Sequence, residues 1–473
     1  MRYALMPAAV AAALLLPAPT ALAAKPSDIQ LLRQEVRRMQ ADYERRIAEL
    51  ENRLKAAEGR SQQAEQSARQ AEQKAEHAAQ AVPASRRAAN SFNPAISMVL
   101  SGGYNSFSQD PGTYTLGGFK PNGGEIAPGT RGFNLSESEL TLSASLDPYF
   151  RGAMTLAVTP ENEVELEEAF VQSTALPHGF TVKAGRFFSG LGYLNEKHAH
   201  AWDFIDAPLA YKAFFGGQYG DDGVQVRWLA PTQSVLFELG AEAGRGRGFP
   251  GSDRNKNGAA AGVLFARLGG DAGSSASWQL GGSYLQTNPQ GLGFDDTDTT
   301  TGNATTNSFS GRSKTWLADA VFKWAPTGNA KQQLSLHGGW LKREEGGTLN
   351  CDDADPTAPT ACTGGITDSF SSRQSGGYAE AVYKFAPQWR LGYRHDKLDS
   401  GTVNFGAAHI PAAFQSLQQH DPKRDSFLLD FSPSEFSKFR LQFAQDRNRP
   451  GVKDNQLWLQ YQMSLGSHPA HKY

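Results

Sequence analysis

From Phe92 onward the chain alternates apolar and polar residues with a period of two. The last stretch is clearest: Leu457, Leu459, Tyr461, Met463 and Leu465 alternate with Trp458, Gln460, Gln462 and Ser464. The stretch before it sets Phe439, Leu441 and Phe443 against Arg440 and Gln442. Runs of this kind are β-strands with one apolar and one wet face. Sixteen can be placed, near 96–107, 134–146, 150–159, 164–174, 179–188, 223–230, 234–244, 259–269, 276–286, 314–325, 331–343, 376–386, 388–398, 424–432, 436–446 and 456–466. Short turns such as Asp147-Pro148, Ala230-Pro231, Ala386-Pro387 and Ser432-Pro433 alternate with long loops near 109–131, 189–220, 288–313, 344–374 and 399–423. Together these predict an all-β transmembrane barrel of about 16 antiparallel strands, in contact with outer-membrane lipid, its short turns periplasmic and its long loops extracellular.

Upstream the period changes. Ile29, Leu32, Val36, Met39 and Tyr43 repeat at spacings of three and four; after a slip the seam resumes at Ile47, Leu50 and Leu54 and continues as alanines to Val82. This is a heptad pattern with a stutter. It predicts an N-terminal α-helical coiled coil over 24–82 in the periplasm, suited to self-association or contact with peptidoglycan. Residues 83–92 read as a linker, and 93–473 as the barrel. Residues 1–23 combine Arg2, an apolar run from Ala8 to Leu16 and the small-residue site Ala21-Leu22-Ala23, the pattern of a secretory signal peptide.

Composition narrows the chemistry. The chain has 473 residues, 49 Gly, only two Cys and a formal net charge of −2, and it contains no apolar run long enough for a membrane helix. The inward face of the predicted strands mixes acids such as Glu139, Glu167, Glu238 and Asp319 with bases such as Lys183, Arg227, Arg267 and Arg394. A polar interior of this kind implies water rather than a packed core. The mixture argues against a strongly anion-selective pore, which needs basic rings, and offers no basic surface for nucleic acid. No nucleophile triad, P-loop or dinucleotide fingerprint stands in a convincing context, so neither an enzyme nor a resident cofactor is expected. Asp253-Arg-Asn255-Lys-Asn257-Gly258 begins like a calcium loop, but Leu264 stands where the bidentate Glu is required. Cys351 and Cys362, eleven apart in one exported loop, are expected to form a disulfide.

The longest aromatic- and charge-rich loop lies between Lys183 and Arg227. Loops of this length in a compact fold carry function or are disordered, and its aromatics argue for function. Arg186, Glu196, Lys197, Asp203 and Asp206 are the candidate pore constriction. His198 and His200, with Glu196, Asp203 and Asp206 nearby, are candidate metal ligands, because imidazole and carboxylate suit zinc; the alternative is that they brace the loop through hydrogen bonds. His468 and His471 form a similar pair near the C-terminus.

The run VELEEAFVQSTALPHGFTVKAGRFFSGLGYLNEKHAHAWDF carries a family resemblance. Glu167, Glu168 and Ala169, followed by Lys183, Gly185, Arg186 and Phe187, resemble the outer-membrane porins of the phosphate-selective O/P type. The run is more similar still to proteobacterial porin-like proteins labelled zinc-regulated TonB-dependent outer-membrane receptors. The resemblance implies a sixteen-stranded, trimeric porin whose third extracellular loop folds inward, passing small hydrophilic solutes or ions. The receptor label implies, as an alternative, a metal-uptake receptor or metal-binding channel.

Overall fold

The computed structural model describes residues 37–38, 94–121, 126–160, 162–232, 234–326 and 331–466. The expected signal peptide, the coiled coil apart from the helical pair Arg37 and Arg38, the linker 83–92, and His468 and His471 lie outside these residues.

Among the described residues, eighteen strands form one antiparallel sheet. They are β1 (Ala95–Phe107), β2 (Gly132–Leu135), β3 (Ser138–Ser145), β4 (Phe150–Val158), β5 (Val164–Ser173) and β6 (Phe180–Phe188). Next come β7 (Gly220–Leu229), β8 (Val235–Gly244), β9 (Ala261–Ala272), β10 (Ala276–Thr287), β11 (Leu292–Thr297) and β12 (Ala304–Trp324). The last are β13 (Gln333–Asp353), β14 (Ile366–Ala386), β15 (Trp389–Phe405), β16 (Lys423–Ser434), β17 (Ser437–Asp446) and β18 (Asp454–Gly466). β2 and β3 are two halves of one wall strand, both paired with β1. β11 pairs only with the far end of β12, in a long loop. The wall therefore has sixteen strands. It closes where β1 meets β18, in register from Ser97 opposite Gly466 to Phe107 opposite Gln456.

The alternation read from the sequence is the wall's two faces. Leu457, Leu459 and Tyr461 are exposed on the outside while Gln456, Trp458 and Gln462 are buried inside. Phe439, Leu441 and Phe443 likewise face out, and Arg440 and Gln442 face in. An apolar exterior costs nothing against lipid, and a closed ladder leaves no strand edge unpaired.

The structure corrects the loop lengths. β12, β13 and β14 each run for 21 residues, well beyond the ~9–11 needed to cross a bilayer. Most of the sequence between 304 and 313, 344 and 353, and 366 and 374 is therefore strand, not loop. It reads as loop because Ser308, Ser310, Thr348, Ser369 and Ser371 replace the apolar outer row above the lipid. The inner row continues and builds a second core of Phe294, Phe309, Leu349, Phe370 and Phe414 beside the Cys351–Cys362 disulfide.

The lumen is also not simply wet. Inward Val263, Phe265, Leu285, Leu317, Leu341, Tyr378 and Leu398 pack with the loop that follows β6. These apolar inward residues correct the expectation of an interior filled with water rather than packed.

Candidate functional site

The segment from Ser189 to Tyr219 leaves the rim at β6 and returns at β7. Its two legs are fastened together: Asn195 Nδ2 donates to the carbonyls of Ser189 at 2.9 Å and Tyr219 at 2.8 Å, and Tyr219 N donates to Asn195 Oδ1 at 2.8 Å. Gly192 turns the chain inward at φ +67°, where an added Cβ would meet the Tyr211 hydroxyl at 2.6 Å. A short helix, α1 (Leu209–Phe215), then lies wholly buried in the lumen. Leu209, Tyr211, Phe214 and Phe215 join the apolar cluster on β9–β15 and on the preceding loop, where Tyr114, Leu116 and Phe119 contribute. Gly216 ends the helix in the left-handed conformation at φ 70°, the usual helix stop.

The segment's charged side chains reach different arcs of the wall. Glu196 pairs with Arg227 on β7 and lies 2.7 Å from Arg267 on β9. Burial alone would raise its pKa, but the two guanidinium groups outweigh burial and hold it well below the ordinary carboxylate value. Asp203 pairs with Arg390 on β15 at 2.7 Å. Asp206 is the hub of the densest network: Arg394 and Lys212 each lie 3.0 Å away, Arg424 pairs with the second oxygen, and Gln442 donates at 2.9 Å. Burial opposes ionisation here too, and Arg424, Lys212 and Arg394 overcome it, leaving the carboxyl far below its ordinary pKa. Arg440 donates to the Trp202 carbonyl at 2.5 Å, and Asp396 accepts from Leu209 N at 3.0 Å. Lys197 instead lies over the Tyr193 ring, 3.6 Å from its centroid. Burial, with Lys323 nearby, lowers its pKa to about 8.

On β3 and β5 the partners change from arginine to glutamate. His198 Nδ1 lies 3.1 Å from both Glu139 Oε2 and Glu167 Oε2, and its Nε2 lies 3.0 Å from Glu168 Oε2. His200 Nδ1 lies 2.7 Å from Glu139 Oε1. The two imidazoles stack at 5.8 Å. Burial acts to lower the His198 pKa, but its three carboxylate neighbours outweigh burial and raise it well above the usual histidine value.

Of the sequence candidates, Glu196, Lys197, His198, His200, Asp203 and Asp206 are thus brought together on one inward segment. Arg186 is not among them. It stands in register with Ala169 and Asp222 on the outward row and pairs with Asp222 at 2.6 Å, which corrects its placement at the constriction. The expected acidic companions of the histidines are also corrected: Glu196, Asp203 and Asp206 go to basic partners, and Glu139, Glu167 and Glu168 take their place. Glu168 faces inward because the β4–β5 register slips between Thr155 opposite Glu168 and Leu156 opposite Leu166. The bulge turns two successive glutamates to one side. Strict alternation cannot foresee that; the doubled Glu167-Glu168 was the visible sign.

No family model matches the chain. An uncharacterized protein of Aquifex aeolicus (strain VF5) is 30% identical over 364 residues, spanning 72% of this chain and 70% of that protein. Among solved structures, similarity is found to a loop-deletion mutant of OmpT, an outer membrane protein of Vibrio cholerae, with a TM-score of 0.47 at 10% identity, covering 79% of this chain and 99% of that one. OprB of Pseudomonas putida gives a TM-score of 0.44 at 15% identity, covering 80% and 96%. The outer membrane channel DcaP of Acinetobacter baumannii gives 0.43 at 12%, covering 79% and 97%.

Proposed function

The chain belongs to one family with the uncharacterized Aquifex aeolicus protein, and from this premise and the barrel's own geometry we propose that it is an outer-membrane, porin-like channel for passive diffusion of small hydrophilic solutes or ions. The segment 189–219 is its constriction. One observation carries the reading: a closed sixteen-strand wall, apolar outside, holds an inward-folded segment across a charged lumen. On the short-turn side of that segment Lys183, Lys323 and Lys384 remain only partly buried. Glu196, Lys197, Asp203 and Asp206 are the constriction residues in this reading. Self-association as a trimer, and contact of the N-terminal region with peptidoglycan, belong to the same proposal and rest on the heptads and the family resemblance.

The metal-uptake receptor reading is not favoured. Active receptors of that class enclose a plug in a 22-stranded barrel, whereas this wall closes with sixteen strands. Planar-bilayer recording of the purified protein tests the channel reading. Ohmic single-channel steps are expected, and a protein that inserts but never conducts would sink it.

A further inference from the structure

The cluster where the inward segment meets β3 and β5 holds more negative charge than the segment supplies in return. Three carboxylates, Glu139, Glu167 and Glu168, surround two imidazoles, which make ion pairs with all three. Glu139 is 4% exposed. Its Oε2 faces His198 Nδ1 at 3.1 Å, yet that buried oxygen receives no aligned hydrogen bond. The reason is geometric. A single N–H on Nδ1 can point at Glu167 Oε2 or at Glu139 Oε2, both 3.1 Å away, but not at both. A buried carboxylate oxygen left without a donor is costly.

A cation placed between the three atoms removes the conflict. Ligand atoms on a tetrahedral zinc ion with bonds of ~2.0–2.1 Å are about 3.3 Å apart, close to the two 3.1 Å separations seen. The ligand atoms of Glu139, Glu167 and His198 all lie within 4.8 Å of one another. The other partners then fall into orienting positions. With Nδ1 as the ligating lone pair, the proton of His198 sits on Nε2 and is donated to Glu168 at 3.0 Å, the carboxylate–histidine arrangement that fixes a metal-binding tautomer. His200 donates from Nδ1 to the second oxygen of Glu139 at 2.7 Å and holds that carboxylate's other oxygen toward the centre.

We propose that Glu139, Glu167 and His198 form a three-ligand site for a divalent transition-metal cation such as Zn2+, with Glu168 and His200 as positioning residues. The ligands come from β3, from the bulge of β5 and from the inward segment, so the cation clips the segment to the wall. An imidazole among the ligands selects against calcium and magnesium, which take oxygen donors. Three protein ligands leave one position open for water or a passing solute. The site does not depend on the channel reading: a barrel that conducts without binding metal would refute the site alone, and one that binds metal without conducting would refute the channel alone.

The test is calorimetric titration of the folded full-length protein in detergent with Zn2+, with Co2+ as a spectroscopic probe. One ion per chain is expected at this site, with the intense visible absorption of four-coordinate Co2+. His198→Ala and Glu139→Gln should each abolish binding, while His200→Ala should weaken it by about 10–100-fold. Asp222→Asn, outside the site and paired with Arg186, should leave it unchanged. No binding to the wild type, an octahedral Co2+ spectrum, or an isotherm unaltered by His198→Ala would each overturn the proposal. The wild-type Co2+ spectrum decides even if a variant fails to fold. The rival way of offsetting the carboxylates, a proton on each ring nitrogen of His198, predicts no binding at all.

Discussion

The inward segment is held by two kinds of contact, and their difference is instructive. Toward β15–β17 it offers Asp203 and Asp206 to Arg390, Arg394 and Arg424, which are further balanced by Asp396 and Asp430. Toward β3 and β5 it offers His198 and His200 to glutamates. Arginine keeps its charge at any pH a cell meets, so the first contact is permanent once made. Histidine and glutamate can each exchange a proton or a metal, so the second is conditional. One backbone segment thus carries a fixed edge and an adjustable edge.

The largest effect should come from breaking the fixed edge. Asp206→Ala strands Arg394, Arg424 and Lys212 around a missing carboxylate, and removing one partner of a buried pair costs about 3–5 kcal/mol. The expected outcome is release of the segment: a lower midpoint of urea unfolding followed by the fluorescence of Trp202, and larger single-channel conductance. Unchanged conductance would show that the aspartate network does not hold the constriction.

Next in size is the turn that sends the chain inward. Gly192→Ala forces an L-residue to φ +67°, costing about 1–2 kcal/mol, and places a methyl against Tyr211. Faster hydrogen exchange through 191–219 should follow, with exchange in the β16–β18 ladder unaltered. If the ladder loosens equally, the segment and the wall are one cooperative unit rather than a removable insert.

The adjustable edge should respond in selectivity more than in stability. Glu167→Gln/Glu168→Gln removes two charges from the lumen wall. At a few ångströms in a partly wet site a charge pair is worth on the order of 1 kcal/mol, so the cation-to-anion permeability ratio should fall by roughly fivefold. Reversal potentials in a salt gradient measure it. A ratio that does not move would place the solute path away from β3 and β5.

These contrasts were only partly legible beforehand. The wall was, because an apolar outer row against lipid imposes a period of two that survives in the membrane-level part of most strands. The inward segment was visible through its length and its aromatics. What its charges touch was not, since Asp206 and Arg424 are more than two hundred residues apart and nothing local links them. The upper parts of β12–β15 are not legible in the sequence because strands above the lipid lose their apolar outer row while keeping their ladder. The inward direction of Glu168 is not legible because a bulge breaks the period of two there. Charge alone suggests the lumen for Arg186, whereas its register with Asp222 puts it outside.

The smallest effect sharpens the rule that arginine fixes and other groups adjust. Lys120, in the loop after β1, is buried beneath the long-loop rim with Glu345 at 3.0 Å and Phe309 under its ammonium. Burial pulls its pKa down to about 8, with Glu345 resisting and Arg343 adding to the fall. Because the folded value lies below the unfolded one, the cost of burying the charge is full below pH 8. Above it the unfolded chain holds more protons than the folded one, so stability must rise with pH until the ordinary lysine value is passed. The gain should be roughly 1 kcal/mol between pH 8 and pH 9. Hydrogen exchange at Tyr114–Lys120, corrected for the intrinsic pH dependence, should therefore show protection increasing over that interval, and Lys120→Met should flatten the dependence. Protection that falls instead would mean that the charged pair with Glu345 holds the loop down, as the aspartate–arginine pairs hold the segment beneath it.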